Sequence, residues 1–97
     1  MTISSTSTDP TVITSEDLAR AAQIPDEEIE RDIAETEREI EQEKQKAEGY
    51  RLIAEATTDA LQRRMAEFRH DAARSGAEQR AAFVRFLRAL LAARRSG

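Results

Sequence analysis

The sequence predicts an all-α protein: a helical hairpin or coiled-coil bundle with a long acidic helix and a basic amphipathic C-terminal helix. Three observations predict it. Ala, Glu, Arg, Leu and Ile dominate the 97 residues, and all but Ile are good helix formers. Hydrophobic residues are 39% and charged ones 35%, with three Phe, one Tyr and no Trp, too few large side chains for a thick core. Apolar residues recur at helical spacing, with Ile33, Ile40, Ala47, Ala54, Leu61 and Phe68 each seven apart.

The length suits one domain. Residues 1–14, MTISSTSTDPTVIT, are Ser/Thr-rich and read as a disordered N-terminal arm. Residues 15–97 read as a single helical domain, with helices near 15–24, 26–48, 50–74 and 77–95. Ser15 can cap the first helix, with Glu16 and Asp17 in its first turn near the positive end of the helix dipole. Pro25 ends it, because the residue before a proline avoids the helical region.

The second helix begins PDEEIERDIAETEREIE and is nearly all acid, yet Ile29, Ile33 and Ile40 recur through it as a narrow stripe. Three breaks after it are conceivable. Gly49 costs about 1 kcal/mol in a helix interior, which a long helix can absorb. Asp59 with Gln62 resembles a capping box after Thr57-Thr58. Ser75-Gly76, a small flexible pair between periodic segments, reads as the stronger break. The last helix is the most apolar, with Phe83, Phe86, Leu87 and Leu90 on one broad face.

Charge is segregated along the chain. Residues 26–48 hold eleven acids and four bases, whereas residues 49–97 hold ten arginines and five acids. The first block is therefore net −7 and the second net +5, within an overall charge of −4. This predicts the acidic helix packed antiparallel on a basic one, within one chain or between chains. Arg80, Arg85, Arg88, Arg94 and Arg95 form the candidate basic patch.

Residues 15–33, SEDLARAAQIPDEEIERDI, resemble a helix-turn-helix. Leu18, Ala22, Ile24 and Ile29 stand at its apolar positions and Ala19 at its small one, while Gln23 stands where Gly is usual. The resemblance implies a second helix directed at DNA. That helix carries Asp26, Glu27, Glu28, Glu30 and Asp32 against one Arg31, a charge that phosphates repel. The plainer reading is two helices packed on each other across a short corner.

Glu67 and His70 have the E-x-x-H spacing that di-iron carboxylate bundles use, with Glu37, Glu43 or Glu48 as a facing ligand. One such motif is half a site, so two chains would have to combine. With glutamate so abundant, the plainer reading is a solvated Glu and His. No Gly-rich phosphate loop, cysteine or second histidine is present, so no catalytic constellation is expected and no cofactor is called for. No stretch is apolar for long enough to cross a membrane, and no basic start leads into an apolar run. With no cysteine, these features predict a cytoplasmic protein.

The functional expectation is a non-enzymatic interaction protein: an adaptor, assembly factor or structural component. It would act as a homo-oligomer, or on a protein partner held by the C-terminal helix. The packing stripe would be Ile29, Ile33, Ile40, Leu61, Phe68, Phe83, Phe86, Leu87 and Leu90. Two alternatives stand beside it. One is a nucleic-acid-associated regulator using the arginine-rich half for phosphates. The other is an oligomeric di-iron protein using Glu67 and His70.

Overall fold

The computed structural model describes residues 9–96. Three helices make up the fold: α1 (Ser15–Ala21), α2 (Asp26–Ala56) and α3 (Ala60–Ser96). The all-α expectation holds. α2 and α3 pack along their length as an antiparallel hairpin, and α1 packs chiefly against α3.

The N-cap of α1 is Thr14 rather than Ser15. Its hydroxyl accepts a hydrogen bond from Asp17 N at 3.0 Å, and Thr14 N donates to Asp17 Oδ2 at 3.0 Å, a reciprocal capping box. Residues 1–8 of the expected arm lie outside the described residues. Further along it, Ile13 packs against the core cluster. α1 stops at Ala21, three residues short of the expected end.

α2 runs unbroken for 31 residues through Gly49. The expected end at residue 48 is therefore corrected: neighbouring helix formers sustain the ladder across one glycine. The chain turns instead at Thr57–Asp59. Asp59 Oδ1 accepts from Leu61 N at 2.8 Å and Gln62 N at 3.1 Å, which starts α3. Gln62 does not return the bond to Asp59; its Oε1 accepts from Thr57 Oγ1 at 3.4 Å. Ser75-Gly76 is no break either. α3 is a single helix of 37 residues, and Gly76 faces α2.

The Glu43 side chain of α2 lies over that glycine. A Cβ at Gly76 would lie 2.9 Å from Glu43 Oε2. The pair sits in a seam of small residues, with Ala47 on α2 and Ala66, Ala73 and Ala77 on α3 all buried. Small side chains let helix backbones approach closely. At the other end the seam is wide and apolar. Ile29, Ile33, Val84, Leu87, Leu90 and Leu91 are buried with Ala21, and Leu18, Ile40 and Phe86 pack against them. Each large side chain there contributes about 1.5–3 kcal/mol on burial, and an alanine far less. The chain-terminal half of the hairpin therefore holds most of the stability, and the turn end little.

The buried and half-buried positions of α3 that follow the seam with α2 are Ala66, His70, Ala73, Ala77, Arg80, Val84, Leu87 and Leu91, alternating by four and three. Those of α2 are Ile29, Ile33, Thr36, Ile40, Glu43, Ala47, Tyr50 and Ala54, in the same alternation. This is heptad packing. Leu61 and Phe68 fall outside it. They are 67% and 64% exposed, which corrects the expectation of one stripe running from Ile33 to Phe68. The chain reverses at Thr57–Asp59, so a count of sevens carried across the turn no longer follows one face.

Candidate interaction surface

The basic patch is largely consumed inside the hairpin. Arg80 Nε donates to Glu39 Oε1 at 3.2 Å, Arg88 pairs with Glu37, and Arg95 Nη2 donates to Glu30 Oε2 at 3.1 Å. Arg94 Nη1 lies 3.4 Å from Asp26 Oδ1. Arg85 is within electrostatic reach of Asp9, whose carboxyl is held below its usual range first by a hydrogen bond from the Thr11 backbone. The acidic and basic blocks thus face each other in one chain, as segregation along the sequence implied. Most of these pairs are exposed, so each is worth about 0–1 kcal/mol.

The two helices of the stretch that resembles a helix-turn-helix do not pack on each other, which corrects the plainer reading of the sequence as well as the motif. Ala19 and Ala22, its small and apolar positions, are exposed, and α1 turns its buried side to α3. Ile24 is half out in solvent.

His70 belongs to the hairpin seam and is partly buried, while Glu67 is exposed, so the reading of both as solvated holds for Glu67 alone. Its Nδ1 lies 3.3 Å from Asp71 Oδ1. Glu67 and His70 border a shallow opening together with Arg51, Glu55 and Asp71. The glutamates considered as facing ligands are elsewhere engaged: Glu37 with Arg88, Glu43 with Lys46, and Glu48 with Arg51. The Arg51 hydrogen bond is the main cause holding the Glu48 carboxyl below its usual range. Among the described residues no three His, Cys, Asp or Glu side chains form a metal-holding group.

Two apolar surfaces remain open, and both lie on one line of α3. At 3.6 residues per turn, Leu61, Met65, Phe68 and Ala72 share a face roughly 130° round from the hairpin seam. Phe83, Phe86 and Leu90 continue that face further along. α1 covers the far part, leaving a cleft of about 320 Å³ lined by Ala21, Ile24, Ile29, Phe83, Phe86 and Leu90 and rimmed by charged side chains. Phe83 is 45% exposed at its edge, while Leu87 and Leu90 are buried. The broad apolar face read from the sequence at Phe83, Phe86, Leu87 and Leu90 is thus closed over by α1 and the start of α2. The near part has no cover. Met65 is 43% exposed beside Leu61 and Phe68, and Ile53 stands open next to it on α2. A groove of about 310 Å³ runs there between Tyr50, Ile53, Met65 and Ala66, with Gln62 and Arg69 at its rim.

Met65 and Ile53 escaped the sequence reading because both sit off the sevenfold count. The signal that finds Met65 is the spacing from Leu61 to Met65 to Phe68 to Ala72, four, three and four, once α3 is known to start at residue 60. Among the described residues, no helix is long and apolar enough to cross a membrane. Comparison with protein-family models, with curated proteins and with solved structures finds no match to this chain.

Proposed function

We propose that this chain is a small, non-enzymatic helical interaction protein, an adaptor, assembly factor or structural component that works by coiled-coil contacts, including contacts with copies of itself. One observation supports the reading most. α3 bears two heptad-spaced apolar faces; the first is filled by α2, and the second stands in water at Leu61, Met65 and Phe68. Contiguous exposed apolar side chains at such spacing mark a surface for another helix. A cytoplasmic setting is part of the proposal.

Light scattering coupled to size exclusion, run over a roughly hundredfold range of protein concentration, tests it by mass action. A mass rising towards a defined oligomer is expected. A strict monomer throughout would remove self-association from the proposal.

The nucleic-acid reading retains one supporting feature. Arg63, Arg64, Arg69 and Arg74 on the first half of α3 make no ion pair among the described residues. A gel-shift series from low to high salt separates the two: no retardation at low salt discards it.

A further inference from the structure

Taking self-association as its premise, we propose that Leu61, Met65, Phe68 and Ala72 of α3 dock against the same four residues of a second copy, the two helices running antiparallel.

The spacing fits a helix as the occupant. Leu61, Met65, Phe68 and Ala72 alternate by four, three and four, the arrangement by which one helix receives the knobs of another. In an antiparallel pair related by a two-fold axis, Leu61 of one chain meets Ala72 of the other, and Met65 meets Phe68. Large residues thus face smaller or more pliable ones in every layer, without two phenyl rings competing for one space. The chain already shows a helix seated on this line: α1 lies over its far part, at Phe86 and Leu90. Ser75, Gly76 and Gln79 separate the covered part from the bare one.

The flanking charges choose the second copy and its direction. Arg64 and Asp71 border the bare face on one side, and Gln62 and Arg69 on the other. Antiparallel packing brings Arg64 of one chain opposite Asp71 of its mate, twice by symmetry. Parallel packing would instead bring Arg64 opposite Arg69. Both members of the favourable pair are free to make it. Arg64 has no ion pair among the described residues and lies 5.8 Å over the Phe68 ring. The Asp71 side chain is 78% exposed, and among the described residues its ion pair is with the His70 ring. The Gln62 and Arg69 side opens onto Tyr50 and Ile53, so α2 adds apolar surface there instead of an obstacle. The face spans only about three helical turns, which makes the contact small and the dimer weak, with a dissociation constant on the order of micromolar.

Sedimentation velocity on the full chain decides it, using the wild type, Arg64→Asp, Asp71→Arg, the double variant and Phe68→Glu. All three positions changed are exposed, and circular dichroism verifies that each variant keeps its helices. The wild type is expected to dimerise. Arg64→Asp should weaken the dimer roughly tenfold by placing carboxylates against each other twice. Arg64→Asp with Asp71→Arg should recover most of that loss, which a merely structural role for Arg64 would not. Phe68→Glu should weaken it at least roughly thirtyfold. Dimers that ignore Arg64→Asp and Phe68→Glu would show that copies meet elsewhere, leaving self-association standing and this site refuted. A strict monomer in the wild type would refute both, and capture of an acidic helical peptide on this face by that monomer would assign the surface to a foreign partner.

Discussion

Arg94 Nη2, near the end of α3, donates a 2.7 Å hydrogen bond to the carbonyl of Ile24, in the corner between α1 and α2. The same guanidinium places its buried Nη1 3.4 Å from Asp26 Oδ1, close enough for ion pairing but outside hydrogen-bond geometry. One side chain thus fastens the last turn of the chain to the corner that directs α2. The arginine read from the sequence as part of an external basic patch is an internal clamp.

Arg94→Ala should therefore destabilise the fold by about 1–2 kcal/mol, since the bond involves a charged donor and a largely buried side chain. Arg94→Lys should not restore it, because an ammonium cannot reach the carbonyl and the carboxylate with one planar fork. Urea unfolding followed by circular dichroism reads both. A loss equal to that of an exposed arginine such as Arg38→Ala would show that the clamp contributes nothing.

Core substitutions should sort by their place along the hairpin. Leu90 is 3% exposed and Ile29 2% exposed. Leu90→Asp should abolish folding, and Ile29→Ala should cost about 2–5 kcal/mol. Leu61→Ser, at a residue standing in water, should leave the melting temperature of the monomer within about 2 °C.

Gly49→Ala should stabilise the protein by about 0.5–1 kcal/mol. Gly49 lies inside α2, and a Cβ there meets nothing within 4 Å. Gly76→Ala should give a smaller gain, because its Cβ would displace the ends of Glu43 and Arg80. Equal gains at both positions in thermal unfolding would mean that the Glu43 and Arg80 side chains move aside without cost.

Acid should loosen α1 before it unfolds the hairpin. The Asp17 carboxyl is held below its ordinary value of 3.8, first by the Thr14 backbone N–H and then by the Thr14 side chain. A carboxyl depressed in the folded state stabilises above its unfolded value, and that contribution is lost as pH falls through the folded one. Amide exchange along α1 should accordingly accelerate below about pH 4. Asp17→Asn, which keeps an acceptor without the charge, should flatten that step.

The charge segregation was legible in the sequence, and it found its physical counterpart in Arg80 with Glu39, Arg88 with Glu37 and Arg95 with Glu30. So was the isoleucine stripe of α2, because local periodicity within one helix records which face is buried. The breaks were not. Gly49 and Ser75-Gly76 carry weak helix propensity, but the alanine-rich segments on either side and the tight seam at Gly76 override it. The turn at Thr57–Asp59 was visible only as the Asp59 cap. Taking it as secondary carried the count of sevens across a reversal and set Leu61 and Phe68 on the wrong face. Arg94 could not be read at all, since its bond to Ile24 joins residues that only the fold brings together.

An unbroken α3 has one more consequence. A helix of 37 residues rises about 55 Å at 1.5 Å per residue. The α1-covered cleft at Phe83 and Phe86 and the bare face at Leu61 and Phe68 are parts of one rod, with no hinge between them. The protein is thus a ruler. Two bodies gripping its ends would be held at a set distance and a set rotation, and a push at one would arrive at the other as a rigid displacement.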